Sequence, residues 1–130
     1  MDVERHGTGT PWEPVVGYSR VVRAGPLVVV SGCTSTGPDG RFVDGDAAEQ
    51  ARRCLANVVA ALERVGAAPA DVVRTRIYVT DIADWEAVGR AHGDVFGEIR
   101  PATSLVQVAA LIDPGMRVEI EAMAYSAALG

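Results

Sequence analysis

The chain has 130 residues, 48% of them hydrophobic and 22% charged, with a net charge of -5. That length suits a single domain over residues 1–130 with a core of its own, and the composition is that of an ordinary globular protein. The acidic balance and the scatter of its basic residues argue against a nucleic-acid partner, and no apolar run reaches the ~18 residues of a membrane helix.

The chain opens Met-Asp-Val-Glu-Arg, without a charged-then-apolar leader, so a cytoplasmic location is expected. Cys33 and Cys54 stand far apart and read as reduced thiols. No Cys/His spacing suits zinc and no Gly-rich phosphate loop is present, so neither metal nor cofactor is expected.

Residues 1 to about 14, with Gly7, Gly9, Pro11 and Pro14, read as an irregular arm ending at most in a strand. Tyr18–Arg23 forms a first strand and Leu27–Ser31 a second, turned by Ala24-Gly-Pro26. Four apolar residues in a row at 27–30 suggest burial on both faces. The run Gly32-Cys-Thr-Ser-Thr-Gly37 is either a plain loop or a place where backbone N–H groups face a ligand. Cys33 has the chemistry of a nucleophile but no base near it in sequence, and a small packed residue is the simpler reading.

Arg41–Val43 reads as a short third strand. Asp46, with Glu49 three residues on, has the pattern of a capping box. Ala51, Leu55, Val58, Leu62 and Val65 then recur at helical spacing, and Gly66 closes a helix over 47–65. In the strand 72–79, Val73, Thr75, Ile77 and Val79 alternate with Arg74, Arg76 and Tyr78. A second helix follows, capped by Asp81 or Asp84 and ended by Gly97. Its apolar stripe runs Trp85, Val88, Ala91, His92, Val95, Phe96. His92 on that stripe is either a packed, hydrogen-bonded histidine or a ligand contact.

Ser104–Ala109 is a short apolar strand, and Leu111-Ile-Asp-Pro-Gly115 a turn. Arg117–Tyr125 alternates, with Val118, Ile120, Ala122 and Ala124 on one face and Glu119, Glu121 and Met123 on the other. The order β-β-(β)-α-β-α-β-β describes an α+β protein: two helices on one face of a mainly antiparallel sheet. The other face would carry Arg74, Arg76, Tyr78, Glu119 and Met123, neither a dry core nor a free surface. Burial against copies of the same chain accounts for it, and Glu119 or Glu121 can serve the arginines there.

Several stretches together resemble the RidA/YjgF family, also called the L-PSP endoribonuclease family. They are Gly17-Tyr-Ser19, Val30-Ser-Gly32, Gln50-Ala-Arg52 with Leu55-Ala-Asn-Val58, Val79-Thr-Asp81, Phe96 before Arg100-Pro-Ala102, and Val118-Glu-Ile-Glu-Ala122. The resemblance spans about residues 17 to 125. It implies a chorismate-mutase-like, two-layer α+β fold assembled as a homotrimer, with three small-molecule clefts between subunits. In the best-known members these clefts hydrolyse enamines and imines such as 2-aminoacrylate. The match implies that Glu119 places water and that Tyr18, Ser31 and Gly32 line the cleft, with Cys33, His92 and Ser104 as further ligand-contact candidates.

One departure bears on chemistry. The family's carboxylate-clamping arginine, two residues after the proline of Arg-Pro-Ala, is replaced by Thr103. Loss of such a bidentate contact in an enclosed site costs ~2–5 kcal/mol. Thr103 suits a neutral or hydroxylated ligand better. Gly89 stands near the family's helix-head asparagine, His92 where an aromatic is common, and the loop 112–115 is about one residue longer. The readings that follow are a deaminase-like hydrolase of imine or enamine compounds, or a non-catalytic small-molecule-binding trimer. Ribonuclease and chorismate mutase activities fit an acidic chain with few cationic anchors less well.

Overall fold

The computed structural model describes residues 2–130. Six strands form one sheet: β1 (Val3–His6), β2 (Val21–Ala24), β3 (Leu27–Cys33), β4 (Val72–Val79), β5 (Ala102–Gln107) and β6 (Val118–Tyr125). Their spatial order is β1-β2-β3-β6-β4-β5. Every neighbouring pair is antiparallel except β4–β5. A parallel pair needs a crossover, and α3 (Trp85–Phe96) supplies it. The helices α2 (Ala47–Arg64) and α3 pack on one face. This is the expected α+β, mainly antiparallel arrangement.

The valine-rich β3 suits a pleated strand. Gly25, at φ 59°, takes the first central position of the two-residue β2–β3 turn. Pro26 cannot follow with positive φ, so the hairpin is of the II′ kind. Asp46 accepts from the Glu49 N–H at 2.8 Å, while the Asp46 N–H donates to Glu49 Oε1 at 3.1 Å. The capping box is therefore complete. At the other end the Ala67 N–H reaches Leu62 O and the Gly66 N–H reaches Glu63 O, a Schellman motif with Gly66 at φ 85°. Ala51, Leu55, Val58, Leu62 and Val65 are all buried. Beside them Gln50, wholly buried, donates to Gly45 O and Gly115 O and accepts from the Arg117 N–H. It ties α2 to the turn before β6.

Several expectations needed correction. The N-terminal arm is not irregular: it holds β1 and a short helix, α1 (Trp12–Val16). The arm is ordered by Glu13, whose buried carboxylate accepts from the backbone and hydroxyls of Thr8 and Thr10. Arg41–Val43 forms no strand beyond one bridge from Phe42 to Thr36. Along β4, Val72 rather than Val73 faces the core, because a bulge between Val72 and Arg74 shifts the register. β5 begins two residues earlier than its apolar run suggests, since pairing with β4 sets its register. Asp81 caps the 3-10 turn Ile82–Asp84 ahead of α3, and Asp84 makes no capping bond. Trp85 is 58% exposed, off the buried stripe. Gly97 stays right-handed after α3, and the left-handed residue is Arg100 at φ 57°. Val29 is 39% exposed, so β3 is buried on one face of this chain and not on both.

That second face is bare of helices. Register places Glu119 beside Tyr78 and Glu121 beside Arg76 upon it. Glu121 accepts from the Tyr78 hydroxyl and lies 3.7 Å from Arg76. Leu27, Val29, Val106 and Tyr125 are exposed there, among the charged side chains.

Candidate functional site

The sequence-derived site residues fall into two groups, separated by the strands between them. The first surrounds a bulge in β3. Between Val30, paired to Ala122, and Cys33, paired to Ile120, two residues oppose one. The extra residue lets Cys33 turn into the core while Gly32 faces the bare side. A Cβ on Gly32 would lie 2.7 Å from Glu119 Cδ and 3.0 Å from its Cγ. Only glycine permits the carboxylate to rest against this backbone. Glu119 is half-buried, and burial pushes its pKa up; Glu121 adds to the rise and Arg20 opposes it. It is thus a carboxylate that holds a proton more readily than usual and sits beside an accessible main chain. Those are the attributes of a general acid or base.

Arg20 is the residue that sequence reasoning missed. Its guanidinium is buried at 8% exposure. It donates to Ser31 O at 3.2 Å, to Gly32 O, to Cys33 Sγ at 3.7 Å and to the Tyr18 hydroxyl at 3.3 Å. It also lies over the Tyr18 ring, 5.5 Å from the centroid. The signal was available: an arginine two places after the tyrosine, at the head of a strand whose next residues are apolar. Tyr18 in turn contacts Thr10 Oγ1 at 3.3 Å, which links the arm to the bulge. The Ser31 hydroxyl donates to Ser19 O at 2.6 Å, so Ser31 fastens the strand entry to the bulge. Burial pushes the Cys33 thiol up against the pull of Arg20, which makes it a poor nucleophile in this setting. Cys54 is likewise buried, its pKa raised by burial, with its thiol directed to Val118 O.

The second group lies at the edge strand. Thr103 pairs with Thr75, and both point toward the helices. Thr75 is wholly buried, and its hydroxyl lies 2.8 Å from His92 Nε2 and 2.8 Å from Thr103 Oγ1. Thr103 also donates to Pro101 O at 3.1 Å. His92 packs on Phe96 with ring centroids 4.8 Å apart, and burial lowers its pKa. In this chain it is both packed and hydrogen-bonded. Ser104 points the opposite way, to the bare face, where Arg74 Nη2 approaches its hydroxyl at 3.4 Å.

Glu119 and Thr103 therefore stand on opposite faces of the sheet, with β4 between their strands. Within one chain they do not share a cleft. Tyr18, Ser31, Gly32, Cys33 and Glu119 converge; His92 and Thr103 form a separate cluster. Among the described residues, no group of three or more His, Cys, Asp or Glu side chains is arranged to hold a metal ion. No helix there is long and apolar enough to cross a membrane.

Comparison with known proteins agrees with this fold. The family model Endoribonuclease L-PSP matches residues 9–126. A solved structure from Mycobacterium tuberculosis, described as a member of the YjgF/YER057c/UK114 family, superposes with a TM-score of 0.87 at 52% identity, covering 95% of this chain and 99% of that one. Escherichia coli TdcF, solved with bound serine, gives a TM-score of 0.78 at 30% identity, covering 93% and 92%. The human 2-iminobutanoate/2-iminopropanoate deaminase is 34% identical over 113 residues, 86% of this chain and 82% of that protein. With the family model matching residues 9–126 and the fold superposing on a solved member, the chain belongs to the RidA/YjgF family, the family of the Endoribonuclease L-PSP model.

Proposed function

We propose that the protein is a homotrimer that hydrolyses small imines or enamines in clefts between its subunits, with Glu119 as the group that handles water. The observation that carries this reading is the raised-pKa carboxylate of Glu119 against the bare backbone of Gly32. In the proposed reaction the Glu119 carboxylate accepts a proton from water as its oxygen attacks the imine carbon. Glu119 returns that proton to nitrogen to give a carbinolamine. The carbinolamine hydroxyl proton then passes by way of the same carboxylate to nitrogen as the C–N bond breaks and the C=O bond forms, so imine and water become a carbonyl compound and ammonia. The exposed Leu27, Val29 and Val106 on the helix-free face are the surface that subunits would bury. A human relative's name specifies imino-acid deamination and a bacterial relative was solved with serine bound, which supports a small amino-acid-like ligand class.

In the proposed trimer the cleft takes its Thr103 from the adjacent subunit, because the Thr103 and Glu119 of one chain stand on opposite faces, and Thr103 there narrows that class. Its hydroxyl is already engaged by Thr75 and Pro101, and it offers no cation. A substrate without a carboxylate fits this position better than 2-iminopropanoate does. The same observation favours a second reading, a binding protein without chemistry of its own. Ammonia release from a panel of neutral imines, alongside 2-iminopropanoate, separates the two. The hydrolase reading expects turnover of a neutral imine above the buffer rate and its loss in Glu119→Gln, with the variant still folded. Equal rates with and without protein across the panel would leave only the binding reading.

A further inference from the structure

On the helix side of the sheet, across the β3 backbone from Glu119, lies a cavity of about 460 Å³ that the proposed chemistry does not use. The N-terminal arm, the start of β2, the loop after β3 and α2 enclose it. Its size is that of a small-ligand pocket, for which ~300–1,000 Å³ is usual. Its walls are mixed: Trp12, Val21, Ala60 and Ala61 give apolar surface, and Thr34 and Asn57 are among its polar groups.

The charge of this cavity is unlike that of the molecule. The chain carries -5 overall, yet the cavity is lined by two arginines, Arg20 and Arg64, and among the described residues by no carboxylate. Arg20 is buried, and no Asp or Glu oxygen of the described residues lies within 4.0 Å of it. Its partners are neutral: two carbonyls, a thiol and a phenol. Among the described residues Arg64 donates only to Gly7 O, at 2.6 Å. Glu119, across the β3 backbone, shares an electrostatic interaction with Arg20 but no direct ion pair. A buried guanidinium whose direct partners are all neutral gains from an anion that reaches it.

We propose that this cavity is a second ligand pocket, selective for small carboxylic acids with a compact apolar body. The carboxylate is held by Arg20 and Arg64, and the body rests on Trp12, Val21 and Ala60. Because Arg20 also holds the Ser31 and Gly32 carbonyls, occupancy bears directly on the backbone against which Glu119 rests.

Calorimetric titration of the full chain with phenylacetate, 3-phenylpropanoate and octanoate, each beside its neutral amide, tests the pocket. At least one acid binds with a Kd below ~1 mM, and its amide binds at least ~10-fold more weakly. Arg20→Gln would remove four internal hydrogen bonds and confuse binding with folding, so other positions carry the test. Ala60→Trp, at an exposed site on α2 one turn before Arg64, fills the cavity and leaves the internal hydrogen bonds of Arg20 to the β3 carbonyls in place, and it weakens the acid by at least ~10-fold. Arg64→Gln weakens the acid by ~5-fold or more while its amide is unaffected. Glu119→Gln, which removes a negative charge felt by Arg20, leaves the acid bound at least as tightly as in the wild type, which separates this pocket from the Glu119 cleft. Failure of all three acids to saturate, equal binding of acid and amide, or binding lost in Glu119→Gln but kept in Ala60→Trp would each overturn the proposal.

Discussion

Glu119 owes its character to burial beside Gly32, and burial predicts how it responds to pH. Its pKa is raised above the ordinary 4.5. If it must be ionised to accept a proton, kcat/KM falls as pH drops through that raised value, at a higher pH than an ordinary carboxylate would set. The acid limb should vanish in Glu119→Gln, and a limb that persists there would assign it to another group. Stability runs the other way. The folded chain binds this proton more tightly than the unfolded chain, so the ionised form penalises folding once pH rises past the ordinary carboxylate range. Glu119→Gln should melt at or above the wild-type Tm at neutral pH, with the gap closing in acid. Thr75 gives a second residue-scale test. Its hydroxyl is the shared partner of His92 and Thr103. Thr75→Val leaves both short of a partner and should cost about 1–2 kcal/mol by denaturant titration. A neutral effect would mean that solvent already serves them.

Among the elements, α2 was readable because each local signal agreed with the next. Asp46 and Glu49 close its start, an apolar stripe defines its face and Gly66 ends it. Asp46→Ala opens the capping box and should lower Tm by roughly 3–6 °C, measured by thermal circular dichroism. An unchanged Tm would show that packing alone holds the first turn. Where signals were weaker, neighbours decided. The strand expected at 41–43 has too little partner to form a ladder. β5 is displaced because its register comes from pairing with β4, not from its own apolar run. The arm looked irregular because the acid that orders it, Glu13, does so through hydroxyls and amides that carry no periodic pattern.

For the whole molecule, the helix-free face sets the expectation. It mixes exposed Leu27, Val29 and Tyr125 with the Arg76–Glu121–Tyr78 network, and a closed assembly of copies would remove the apolar part from water. Multi-angle light scattering should give three times the 13.6 kDa chain mass. Val29→Asp, which places a charge at the middle of that face, should shift the mass toward a single chain while leaving the helical circular dichroism intact. A wild-type monomer would remove the basis for intersubunit clefts.

Fold class, the long capped helix, the strand alternation of 118–125 and the family were all determined by the sequence itself. These rest on periodicity, capping chemistry and contiguous motifs, which are local along the chain. Glu119 and Gly32 were legible in the same way, through short motifs that a family shares. Only the tertiary structure decided that Glu119 and Thr103 occupy opposite faces of the sheet. It alone also revealed that Arg20 is buried with no carboxylate among the described residues in ion-pair contact with it. Both depend on which strands become neighbours and on one extra residue in β3, and neither pairing nor a bulge leaves a mark within the segment that carries it.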